Sequence, residues 1–128
     1  MIHILIISLG GAIGAVMRYS IGKITFKVLG NPDVITGTLF SNVIGCFFAG
    51  IILGWMGDHS NISEEVILFL TVGILGSITT FSTFALESYQ LFDDGKFTKL
   101  ISYLFIQIVI AFLLTAAGYA LYQFTGGV

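Results

Sequence analysis

Residues 73–87 read GILGSITTFSTFALE and form the last two thirds of an apolar run, Val66 to Leu86, that is long enough to cross a bilayer. Yet the stretch carries Ser77, Thr79, Thr80, Ser82 and Thr83, phenylalanines at 81 and 84, and Glu87. A single hydroxyl in a membrane helix is explained by a bond back to a carbonyl three or four residues earlier. Four hydroxyls within positions 79–83, behind Gly73 and Gly76, instead predict a helix that is interrupted, with hydroxyls replacing lost backbone bonds. Broken helices at membrane depth occur where backbone is buried in protein or lines a cavity, and their freed carbonyls can hold a cation.

The surrounding composition sets the class. The chain has 128 residues, 56% hydrophobic and 9% charged, with a mean hydropathy of +1.02, far above a soluble domain. Four runs free of Asp, Glu, Lys and Arg carry that hydropathy: Ile2 to Met17, Val34 to Met56, Val66 to Leu86 and Leu100 to Phe124. A lipid-facing backbone must satisfy its own hydrogen bonds, and the runs lack barrel-type alternation, so they are helices. The expectation is an all-α membrane protein of one domain, residues 1–128, with four transmembrane helices over about 2–22, 34–56, 66–92 and 100–124 and the third broken near its middle. The first run reaches full length by continuing past Arg18, whose side chain snorkels or turns inward. Its opening, MIHILIIS, lacks a positive n-region and is read as a span, not a secretory signal. The connections, roughly Lys23 to Asp33, Gly57 to Glu65 and Asp93 to Lys99, hold Pro32 and most of the charges.

Several functions are disfavoured. A pI near 5.4 and a net charge of -2 offer no basic patch for nucleic acid. Cys46 lies alone in mid-span and is assigned to packing, while His3 and His59 lack a ligand partner at helical spacing. Spans 1, 2 and 4 contain no acidic residue, and no nucleophile, base and orienting group converge, so the chain is not read as an enzyme.

The remaining polar residues form strips. Asn42 in GTLFSNVIGCFFAG (37–50) is an amide at mid-span that needs partners, with Thr38 one turn earlier on the same face. Tyr103 and Gln107 form a similar pair in span 4. Phe81 and Phe84 project within about 60° of each other. Such rings most often pack or face lipid, but two positive ring edges beside Ser82 and Thr83 also make a surface for a small anion. Glu87 continues that line and reads equally as an interfacial carboxylate. Donors outnumber fixed charges, which favours passive passage of a small anion over a proton-coupled carrier. Four spans hardly enclose a polar route, so an oligomer is expected, with Gly10, Gly11, Gly14, Gly37, Gly45, Gly50, Gly73 and Gly76 allowing close helix contact.

GGAIGAVMRY (10–19), GTLFSNVIGCFFAG (37–50) and GILGSITTFSTFALE (73–87) resemble, in order and spacing, the signature segments of the CrcB/Fluc family of small fluoride channels. The resemblance implies an antiparallel dimer in the lipid bilayer of the bacterial cytoplasmic (inner) membrane, with two fluoride pores and a central structural sodium ion. It implies that Phe81 and Phe84 line the pore, that Asn42 is the pore asparagine, and that Thr38, Ser82, Thr83 and Glu87 are its polar neighbours. Gly76 and Thr79 match the residues whose backbone carbonyls hold sodium, and Arg18 the arginine closing the first motif. Tyr103 and Gln107 lie along the polar track of span 4, where Gln107 and Ala111 stand at positions that often bear hydroxyls in relatives. The implied activity is passive export of fluoride.

Two rivals are a small multidrug exporter, which uses a carboxylate in span 1 that is missing between Ile2 and Met17, and a non-transporting assembly subunit whose polar strips are packing glue. Topology raises a separate conflict. All five Lys and Arg residues, Arg18, Lys23, Lys27, Lys96 and Lys99, belong to one side of the membrane, which puts the first and third loops in the cytoplasm. An antiparallel homodimer requires insertion both ways. A second copy of the chain is the preferred partner because the pore and sodium motifs are all present here; an oppositely oriented paralogue is the alternative.

Overall fold

Four helices are long and apolar enough to cross a membrane in the computed structural model, which describes residues 1–30 and 34–126. They are α1 (Ile2–Leu29), α2 (Val34–Asp58), a bent third span Glu64–Asp93 made of α3 (residues 64–78) and α4 (Phe81–Asp93), and α5 (Phe97–Gly126). The described residues are otherwise short connections.

α1 runs to Leu29, beyond the expected end near residue 22, so Lys23 and Lys27 sit on its last turns instead of in a connection. Its 28 residues make a rod of about 42 Å, longer than a hydrocarbon core of about 30 Å. Gly30 stops it in the left-handed region (φ 60°), where its N–H reaches the Phe26 carbonyl at 3.1 Å. Pro32 and Asp33, placed in the first connection, lie outside the described residues.

Lipid gives helices no hydrophobic reason to associate, so close backbone approach through small residues decides the packing. α1 lies on α3 and α2 lies on α5, and α1 touches α2 to join the two pairs. A Cβ at Gly10 would stand 2.7 Å from the Phe69 carbonyl oxygen, and one at Gly14 would strike the Ile74 carbonyl. In the second pair, a Cβ at Gly50 would strike the Thr115 carbonyl and one at Gly118 the Phe47 carbonyl. Gly76, by contrast, is exposed, and among the described residues a Cβ there would meet only the Thr71 carbonyl of its own helix.

The interior mixes polar residues with the apolar Ile78, Leu91 and Ala111. Large apolar side chains such as Leu5, Leu9, Val16 and Phe112 face outward, while Thr38, Ser41, Asn42 and Glu87 are buried. Around them the helices are irregular. Residues Leu68–Leu75 of α3 form wide π-type turns, with the Gly76 N–H reaching back five residues to Thr71, and Ile106–Ile110 of α5 do the same around Gln107. Such bulges re-aim the residues that follow.

The predicted break is present and short. Helical backbone continues through Gly76–Ile78, and only Thr79 (φ −84°, ψ 152°) and Thr80 (φ −149°, ψ 120°) are extended.

Candidate anion pathway

Two extended residues inside a membrane leave peptide groups without helical partners, and Asn42 of α2 supplies them. Its Oδ1 accepts the Thr80 N–H at 2.8 Å, and its Nδ2 donates to the Thr80 carbonyl at 3.2 Å. The carboxamide thus pairs with one residue's backbone as a neighbouring strand would. The second Nδ2 hydrogen goes to Gln107 Oε1 at 3.0 Å on α5. Thr80 also caps α4: its Oγ1 accepts the Thr83 N–H at 3.3 Å, and the Ser82 and Thr83 hydroxyls lie 3.3 and 3.1 Å from it.

From Gln107 the chain of bonds continues. Gln107 Nε2 donates to the Tyr103 hydroxyl at 3.1 Å, and Tyr103 donates to Glu87 Oε2 at 2.5 Å. The other carboxylate oxygen of Glu87 accepts the Thr38 hydroxyl at 2.7 Å. Glu87 is only 3% exposed, so it is a buried acceptor and not an interfacial carboxylate. Thr38, Glu87, Tyr103, Gln107, Asn42 and the Thr80 peptide therefore form one continuous polar string linking α2, the α3–α4 break and α5. Each buried polar group is held by its neighbour, as a low-dielectric interior requires.

The aromatic residues stand beside this string. The Phe84 ring lies 5.5 Å from that of Tyr103, and Phe81 lies 5.6 Å from Phe84, all tilted. Phe84 is half-buried, whereas Phe81 is 79% exposed and points off the subunit. A groove between the end of α1, the start of α2 and the break is lined by Arg18, Lys23, Thr38, Ser41, Thr80 and Thr83 among others.

Gly76 and Thr79 fit the donor set of a small hard cation. In an unbroken helix their carbonyls would accept the N–H groups of Thr80 and Thr83. Here the Thr80 N–H goes to Asn42 and the Thr83 N–H goes to the Thr80 hydroxyl. Both carbonyls have lost those helical donors.

The predicted residues thus fall into four groups: the polar string with Phe84, the groove bearing Arg18 and Thr83, the outward Phe81 and Ser82, and Gly76 and Thr79 at the break. Two residues outside the predicted set belong here. Thr80 is the hinge of the break, and its place in the run of hydroxyls was the available signal. Ser41 is buried at the groove, signalled only by lying three residues after Thr38 and next to Asn42.

Comparison with known proteins agrees on one family. The family model described as CrcB-like protein, Camphor Resistance (CrcB), matches residues 5–119. The chain is 37% identical over 121 residues to the fluoride-specific ion channel FluC of Agrobacterium fabrum, covering 94% of this chain and 96% of that one. It is 45% identical over 101 residues to the protein of the same name from Shewanella sp., covering 79% and 80%. For the Dehalococcoides mccartyi protein, again a fluoride-specific ion channel FluC, the identity is 36% over 116 residues, 91% and 88%. Since the matched span contains the break, the Asn42 clasp and the whole polar string, the chain belongs to the CrcB family.

Proposed function

We propose that two copies of this chain, oppositely oriented in the bacterial cytoplasmic membrane, form a fluoride-selective channel with two pores through which fluoride leaves the cell passively. The observation that carries this reading is the buried polar string from Thr38 to Thr80 running beside the Phe81 and Phe84 rings. The names of the curated relatives support the same ion. Fluoride is small and strongly hydrated, so a path must replace its water with close donors, and a larger halide gains less from them. Amide, hydroxyl and ring-edge groups do this without a fixed cation that would trap the ion. Arg18 draws anions into the groove, and Ser82, Thr83 and Gln107 offer donors along the way. The exposed Phe81 completes a pore wall only against a second subunit.

A sodium ion held by the Gly76 and Thr79 carbonyls of both copies is part of this proposal. It would supply positive charge to carbonyls that have no backbone donor, and the exposure of Gly76 leaves room for a second subunit to approach.

Fluoride efflux from liposomes holding only this protein, compared with chloride, tests the function. Rapid fluoride loss with little chloride loss is expected, and equal rates would refute selectivity. Phe81→Ile and Phe84→Ile keep apolar bulk but delete the ring edge, and each is expected to slow fluoride about tenfold, the worth of one charged contact. Phe84→Ile loses ring contacts to both Tyr103 and Phe81 and so destabilises by about 1–2 kcal/mol, and Phe81→Ile, which loses the Phe84 contact alone, by about 1 kcal/mol. Wild-type rates in both variants would return the rings to a packing role.

The one-sided placement of all five Lys and Arg residues favours a second reading, pairing with an oppositely oriented paralogue. Reporters fused to the C-terminus separate the two. Signal on both sides of the membrane is expected for the homodimer; signal on one side, with no flux from the purified protein, makes the heterodimer correct.

A further inference from the structure

Most hydrogen-bond donors on the polar string are already committed to protein acceptors. Thr38 and Tyr103 each spend their one hydroxyl hydrogen on Glu87, and Asn42 spends both amide hydrogens on Thr80 and Gln107. An anion that meets this string finds few free hydrogens. Ser41 differs. It is 0% exposed, and among the described residues its Oγ is the buried side-chain oxygen or nitrogen left without a hydrogen-bond partner.

Helical hydroxyls in this chain ordinarily bond back one turn: Ser20 to the Val16 carbonyl at 2.8 Å, Thr71 to Ile67 at 2.7 Å, Ser88 to Phe84 at 2.7 Å and Thr115 to Ala111 at 3.0 Å. Ser41 makes no such bond to Gly37. A buried hydroxyl without a partner is unfavourable, so its persistence points to a ligand. Its surroundings select the charge of that ligand. Ser41 lies on the groove whose lining, among the described residues, includes Arg18, Lys23 and Lys27 and includes no carboxylate. Glu87, the buried carboxylate among the described residues, is bonded from α4 to Thr38, one turn before Ser41.

We propose that Ser41 donates its O–H to a small, partly dehydrated anion held at the floor of this groove, before the Asn42 clasp. The identification of that anion as fluoride rests on the function proposed above; the site itself does not. Thr80 and Thr83 line the same floor. The three hydroxyls of Thr80, Ser82 and Thr83 share two mutual hydrogen bonds, so at least one of their hydrogens also remains to be donated. Ser41 therefore acts as a selectivity-determining ligand: a short O–H donor in a confined place favours fluoride over chloride.

Thermal denaturation of the purified full-length protein, titrated with sodium fluoride or sodium chloride at constant total sodium, tests the site separately from transport. The wild-type melting temperature is expected to rise with fluoride and not with chloride. In Ser41→Ala the fluoride concentration needed for the same rise is expected to increase at least about tenfold, the worth of one hydrogen bond to a charge. Ser41→Thr keeps the hydroxyl and is expected to restore the response. A wild-type response in Ser41→Ala, or no fluoride response in the wild-type protein, overturns the proposal; in the first case the hydroxyl holds water only. If the wild type binds fluoride through Ser41 yet liposomes pass none, the channel reading fails and the anion site stands.

Discussion

Replacing Asn42 by aspartate is expected to lower fluoride flux by at least about a hundredfold and to loosen the bent third span. Two effects act together. A carboxylate keeps the acceptor for the Thr80 N–H but loses both hydrogens that now go to the Thr80 carbonyl and to Gln107 Oε1. Those two oxygens are then left facing a third without a proton between them, at about 1–3 kcal/mol for each buried group left unpaired. The new charge also stands beside the anion path, where like charges about 4 Å apart repel by about 4 kcal/mol at an effective dielectric of 20. Flux from liposomes measures the combined effect, and melting temperature isolates the first part. Asn42→Asp with undiminished flux would remove Asn42 from the pathway. Unchanged melting would instead contradict the clasp.

Glu87→Leu is expected to be about as damaging, and Glu87→Gln much less so. The carboxylate accepts from Thr38 and Tyr103, and leucine leaves both buried hydroxyls without an acceptor. Loss of this anchor frees Tyr103 from the position it holds against Phe84 and Gln107. Flux is expected to fall by about a hundredfold, with a stability loss of about 2–4 kcal/mol from two unpaired hydroxyls. Glutamine retains one acceptor for Tyr103 and offers an N–H to Thr38, whose hydroxyl can turn round to accept it. Glu87→Gln should therefore fold normally and keep flux within about tenfold of wild type, since both bonds persist, as neutral ones in place of charged ones. Equal loss of flux in both variants would mean that the negative charge, not the hydrogen-bond anchor, is what the channel needs.

The sequence alone determined the class, the four spans and the interruption of the third. Those properties follow from one-dimensional features: apolar runs long enough for a bilayer, and hydroxyls crowded behind Gly73 and Gly76 where a continuous helix has no use for them. Asn42 was legible for the same reason, as an amide that hydrocarbon does not tolerate alone. Its partner was not. That Asn42 closes on the Thr80 peptide, that Glu87 is buried between Thr38 and Tyr103, and that Ser41 is left with an unspent hydrogen depend on how α2 and α5 are rotated and translated against the broken span. That rotation is set by backbone contacts at Gly50 and Gly118 and by the π turns at Leu68–Leu75 and Ile106–Ile110. A wide turn shifts every later side chain around its helix, so a residue's face cannot be counted through it by a 3.6-residue period. The helical period carried the reading as far as each span's polar residues; only tertiary contact decided which of them meet, and which keep a donor to spare.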